Sequence, residues 1–140
     1  MSATAMHARA VVLHAEDAPQ PGTPDPGPHQ RYRAPRLDVE SRALAPPGPG
    51  RLQVEMLYAG VCGTDLPLRQ TDPLSGYVRT SAPATIPPRG RVIGHEGVGR
   101  VIAAGDRAGG LRAGSIVAFD SIIACLRCPV CRRGAPNQCP

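Results

Sequence analysis

The chain has 140 residues, room for one modest core, and its hydrophobic residues include no Trp, one Phe and three Tyr. With 16 glycines and 17 prolines, long helices should be few and a turn-rich β fold is favoured. The formal charge of +5 rests entirely on scattered arginines, with Arg132-Arg133 as their one adjacent pair, which marks no nucleic-acid footprint.

The N-terminus, MSATAMHARAVVLHAED, lacks a charged segment followed by a long apolar run and a cleavage site, so no signal peptide is expected. No later stretch approaches the roughly 18 consecutive apolar residues of a membrane span. Five cysteines without an export signal predict a reducing, cytoplasmic setting in which thiols serve metals or chemistry.

In chain order, ARAVVLHA (8–15) predicts a short strand. Residues 16–50, with two proline clusters, predict a long exposed loop around a short central strand. RLQVEMLYAGVC alternates Leu52, Val54, Met56 and Tyr58 with other residues, the period-2 pattern of a half-buried strand. Residues 66–91 carry five prolines and no sustained periodicity, and predict a second loop. RVIGHEGVGRVIAAG reads as two strand segments interrupted by glycines, and LRAGSIVAFDSIIA as a turn followed by a β-branched run. No repeat or composition shift marks a second domain. Residues 1–140 are therefore expected to form one mainly β domain, an irregular antiparallel barrel or sandwich with long loops.

The tail, CLRCPVCRRGAPNQCP, places Cys125, Cys128, Cys131 and Cys139 in a C-x2-C-x2-C-x7-C pattern. Short C-x2-C steps let a tight turn point two sulfurs at one ion, and the longer step lets the chain return to complete a tetrahedron. Zinc suits four thiolates at about 2.3 Å because it imposes no d-electron geometry. Iron–sulfur clusters also use closely spaced cysteines, but with other spacings. A redox dithiol would not explain the third cysteine. The zinc reading makes residues 125–139 a closed, structural lobe. Arg127, Arg132 and Arg133 beside it would favour the thiolates electrostatically, and leave a nucleic-acid-binding zinc module as a competing class.

Cys62 in GVCGTD and His95 in IGHEGVG are each followed by further motif residues: Gly63, Thr64 and Asp65 after the cysteine, Glu96, Gly99, Gly105 and Ala108 after the histidine. Together with the four-cysteine lobe, these resemble the zinc-dependent medium-chain alcohol dehydrogenases, whose N-terminal half is a GroES-like β domain. The resemblance covers residues 52–139; residues 1–51 fit only loosely. It implies that Cys62 and His95 are ligands of a catalytic zinc, with Glu96 as a ligand or exchanging neighbour. It further implies that Asp65 accepts a hydrogen bond from the His95 ring and that Thr64 passes the substrate proton towards solvent. The implied chemistry is oxidation of a small alcohol, or reduction of its carbonyl, with zinc as Lewis acid and NAD or NADP as hydride acceptor. Pro67 stands where several family members carry a histidine of the proton relay, so proton exit must differ here.

The family's nucleotide-binding domain, with its Gly-rich strand-to-helix turn, has no counterpart in these residues. GVGRVIAAGDRAGG has the glycines but precedes another strand, so a phosphate-loop reading fails on context. The expectation is a domain that stops short of its cofactor-binding half, inactive alone, with a homo-oligomer or the complementary half as partner. A freestanding metal-binding subunit docked on a complete dehydrogenase is the third class.

Overall fold

A computed structural model describes residues 6–80 and 84–140. Residues 1–5, at the head of the segment read for a signal peptide, and residues 81–83, within the second expected loop, lie outside the described residues. The chain is mainly β, as the sequence predicts, and forms two three-stranded antiparallel sheets. No strand ladder joins them among the described residues, so the expected barrel is open.

The first sheet has the order β2-β1-β4, built from β1 (Met6–Asp17), β2 (Tyr32–Leu44) and β4 (Arg91–Val92). Strand β1 is central, and its adjacent Val12 and Leu13 are both fully buried, one on each face of the sheet. Strand β2 corrects the reading of residues 16–50 as chiefly loop: its 13 residues make it the longest strand among the described residues. Its register against β1 shifts between His14 and Glu16, so Ala34 and Pro35 stand opposite Ala15. Ala34 adopts a φ of 46° there, and the bulge spares Pro35 the ladder hydrogen bond it cannot donate. A proline that argues against a strand is thus accommodated at its one irregular step.

The second sheet has the order β3-β5-β6, from β3 (Leu52–Gly60), β5 (Glu96–Ala104) and β6 (Ile116–Ala118). Its register runs from Leu52 opposite Ala104 to Gly60 opposite Glu96, with two shifts. Gly105 backs onto the Pro47–Gly48 turn so closely that a Cβ would overlap the Gly48 carbonyl. The half-buried reading of β3 fails at two of its four positions: Met56 is 49% exposed and Tyr58 77%. The register shift between Met56 and Tyr58 interrupts the alternation there, and cover is confined to the other part of the strand, where Leu52 and Val54 are half-buried and Val101, the partner of Val54, is buried.

The main core lies under the first sheet, where Leu13 and Tyr32 meet Leu68, Val78 and Ile86. The last three come from the segment expected to be loop. It contains a single helical turn, α1 (Leu66–Arg69), and is tied down by bridges from Arg33 to Tyr77 and from Thr71 to Val78. The Ile86 amide donates to the Tyr32 hydroxyl at 3.0 Å, satisfying a buried polar pair. No helix among the described residues is long and apolar enough to cross a membrane.

Three surface carboxylates are held below their ordinary range: Asp17 by the two-pronged Arg31 guanidinium, Glu40 by His14, and Asp72 by the Ser75 amide and hydroxyl. A depressed carboxylate contributes stability above its unfolded pKa and loses it as pH falls through the folded value. The melting temperature of the Asp72→Asn variant is therefore expected below that of the parent at pH 6, the difference shrinking as pH falls through the lowered range of this carboxylate. A difference that persists unchanged in acid would contradict this assignment.

Candidate metal centres

Strand β3 ends at Gly60, which pairs with Glu96, the first residue of β5. That register delivers Cys62, just beyond β3, to the side of His95 and Glu96. One ligand atom from each of the three lies within 4.8 Å of the others. Two backbone features sharpen the arrangement. Gly94, with a φ of 89°, makes the left-handed step that presents His95 between β4 and β5. Gly60 leaves room for the Glu96 carboxylate, since a Cβ there would sit 2.6 Å from Oε2.

Asp65 is buried, and it closes the Cys62 turn reciprocally. The Cys62 amide donates to Asp65 Oδ2 at 3.0 Å, while the Asp65 amide donates to the Cys62 carbonyl at 3.0 Å. Asp65 Oδ1 lies 3.7 Å from His95 Nδ1, which is ion-pair range and too long for a hydrogen bond. The expected bond between this carboxylate and the imidazole is thus absent from the structure, and its firm partner is the backbone of the neighbouring cysteine. Thr64, Asp65 and His95 open together onto a cleft of about 370 Å³ that Ser121 and Ile123 also line. Ser121, in an unremarkable β-branched run, carried no sequence signal for that position.

The cysteines of the tail are all reduced, and their four sulfurs lie within 4.8 Å of one another. Cys125 and Cys131 sulfurs are 4.0 Å apart, close to the edge of about 3.8 Å that a tetrahedral ZnS4 unit requires. Leu126 takes a left-handed φ of 57°, which turns the following backbone back onto the first sulfur. The Cys128 amide donates to Cys125 Sγ at 3.3 Å and the Cys131 amide to Cys128 Sγ at 3.4 Å. A helical turn, α2 (Pro129–Arg132), starts at Cys128, and the Cys125 amide reaches Cys139 Sγ at 3.4 Å. Amides of Arg127 and Cys128 pull the Cys125 thiol down to about 6, while desolvation and its sulfur neighbours push Cys131 up to about 12. Four crowded thiols cannot all ionise alone, and a divalent cation is what reverses that conflict. The donor set fits zinc.

A third set, His14, Asp38 and Glu40, also brings its ligand atoms within 4.8 Å. Its carboxylates are already matched by cations, Arg36 at 3.0 Å from Asp38 and Arg42 at 2.6 Å from Glu40. His14 contacts Glu40 at 2.5 Å. This is an ion-pair network across β1 and β2, with little net charge left to attract a metal.

Residues 48–139 match the sequence profile of the alcohol dehydrogenase GroES-like domain. The chain is 35% identical over 111 residues to L-threonine 3-dehydrogenase of Stenotrophomonas maltophilia, covering 79% of this chain and 30% of that protein. It is 32% identical over 105 residues to the starvation-sensing protein RspB of Escherichia coli, covering 74% of this chain and 27% of that one. A solved structure from Thermotoga maritima, assigned as an alcohol dehydrogenase, superimposes with a TM-score of 0.68 at 28% identity, over 94% of this chain and 36% of its own. The chain thus spans about 30% of the length of the curated relatives it matches. With the profile covering both cysteine segments and the GHE turn, the chain belongs to the alcohol dehydrogenase GroES-like domain family.

Proposed function

We propose that this domain holds two zinc ions and supplies the metal-binding half of an NAD- or NADP-linked dehydrogenase acting on a small alcohol. The observation that carries the reading is the convergence of Cys62, His95 and Glu96 on one point, beside a cleft that Thr64 also lines. A zinc ion held by these residues supplies a Lewis acid that lowers the pKa of an alcohol oxygen near it.

The chain's own groups divide the remaining work. Cys62 and His95 are the soft and borderline donors that suit zinc, and the Glu96 carboxylate completes or exchanges with that set. Asp65 keeps the Cys62 turn closed and lends negative charge to the His95 ring. Thr64, exposed in the cleft, takes the substrate proton, which then passes to solvent without a histidine because Pro67 occupies the next relay position. Cys125, Cys128, Cys131 and Cys139 hold the second ion in a closed set that braces the tail and does no chemistry.

A hydride acceptor requires a nucleotide-binding domain, supplied in this proposal by a complementary C-terminal half, with a homo-oligomer as the assembled form and the cytoplasm as its setting. The names of the threonine dehydrogenase relatives add hydroxy amino acids to the candidate substrates. The discriminating experiment is metal counting by mass spectrometry on the purified chain. Two zinc equivalents are expected, falling to one in Cys62→Ser and to one in His95→Ala. Recovery of a single equivalent that disappears on changing Cys62 would overturn both assignments.

A further inference from the structure

The turn leading into β4 meets the far end of β2 in an open cleft of about 570 Å³. Arg42, Arg89 and Arg91 line it, together with Thr85. It shares Arg91 and Val92 with the cleft beside His95, whereas Arg42 and Arg89 line this cleft and not that one. Arg42 folds beneath the turn, donating from Nη2 to the Arg89 carbonyl at 2.7 Å. Its Nε is buried with no hydrogen-bond partner among the described residues. Arg91 donates from Nη1 to the Thr85 carbonyl at 3.2 Å, which anchors its guanidinium along one wall.

The charge is uncompensated. Glu40 pairs with Arg42 at 2.6 Å, but no acidic side chain stands within ion-pair range of Arg89 or Arg91 among the described residues. Two positive charges remain, which matches the charge of about −1.5 to −2 carried by phosphate or a phosphate monoester near neutral pH. Guanidinium forks suit the tetrahedral array of phosphate oxygens, and Arg89 and Arg91 are the two exposed guanidinium groups of the cleft.

We propose that this three-arginine cleft binds a phosphate group, either the free anion or a small phosphoester, at a site that adjoins the cleft beside His95 and holds none of the Cys62–His95–Glu96 donors. Binding needs neither zinc nor turnover, so its test is independent of the dehydrogenase reading.

The test is isothermal titration of the purified chain with inorganic phosphate at constant ionic strength, balanced with sodium chloride. One saturable site per chain is expected, and Arg89→Gln and Arg91→Gln should each weaken it by about tenfold or more. Arg89 is exposed, so its replacement leaves folding intact. Arg100→Gln, an exposed arginine on β5, is the control that leaves binding unchanged. A parallel titration with glycerol phosphate separates the two sources: tighter binding than phosphate assigns the site to a phosphoester, weaker binding to the free anion. The proposal fails if no saturable binding occurs, or if Arg89→Gln and Arg100→Gln behave alike. It also fails if the same arginines hold single-stranded RNA or anionic vesicles while small phosphates do not bind.

Discussion

Cys131→Ser is expected to release one zinc equivalent and to unfold residues 125–139 while leaving both sheets in place. The reason lies in packing. Neither α2 nor the following helical turn, Pro136–Gln138, contains a buried residue. What remains to hold the lobe is a set of amide-to-sulfur contacts and whatever the sulfurs themselves bind. Structural zinc sites in small peptides contribute about 10–16 kcal/mol of apparent binding free energy, far more than a few exposed backbone bonds can replace. Losing one thiolate from a closed tetrahedral set removes most of that stabilisation at once. Limited proteolysis should therefore cut the variant within the lobe, and metal-chelated parent chain should show the same cleavage. If the variant keeps its full zinc content and resists cleavage there, the tail is not a zinc lobe.

Leu13→Ala is expected to cost about 2–5 kcal/mol, the usual range for removing a fully buried leucine side chain. Leu13 has no solvent exposure and touches the one cluster that joins the first sheet to α1 and the segment after it. Seven hydrophobic residues make up the buried core among the described residues, so few neighbours can move in to fill the space. Against a typical domain stability of about 5–15 kcal/mol, the loss approaches global unfolding. Thermal melting should fall by about 10 °C or more. Met56→Ala, at an exposed position on β3, supplies the contrast and is expected to stay within about 0.5 kcal/mol. Equal melting shifts for the two variants would show that the core has been placed on the wrong sheet.

The two metal centres differ in how far sequence could take them. The four tail cysteines lie within one short segment, so their spacing along the chain already limits how the sulfurs can meet. Cys62, His95 and Glu96 were legible as motif residues through family resemblance. Their meeting depends on the pairing of Gly60 with Glu96, a property of two strands and of neither alone. The same dependence explains Asp65. Its place beside Cys62 was readable, but only the fold shows that its carboxylate closes the Cys62 turn at 3.0 Å and stands 3.7 Å from the imidazole.

Misread segments have the same origin. Prolines at 35 and 67 are local signals against regular structure, yet Pro35 sits in a bulge and Pro67 in the first turn of α1. Leu68, Val78 and Ile86 looked like isolated apolar residues in a loop until Leu13 and Tyr32 were found beneath them. On β3, alternation predicted one apolar face, but the register shift between Met56 and Tyr58 interrupts it, a step visible only in the pairing with β5.

Sequence by itself determined the β-rich class and the four-sulfur tail, because these depend on composition and on spacing along a single covalent chain, while the GHE and CGTD motifs were legible through the family resemblance. Tertiary structure alone decided which strands pair, which apolar residues are buried, and where the cleft beside His95 and the arginine cleft beside β4 open. Register and burial are relations between segments far apart in the chain, and no local pattern contains the second partner.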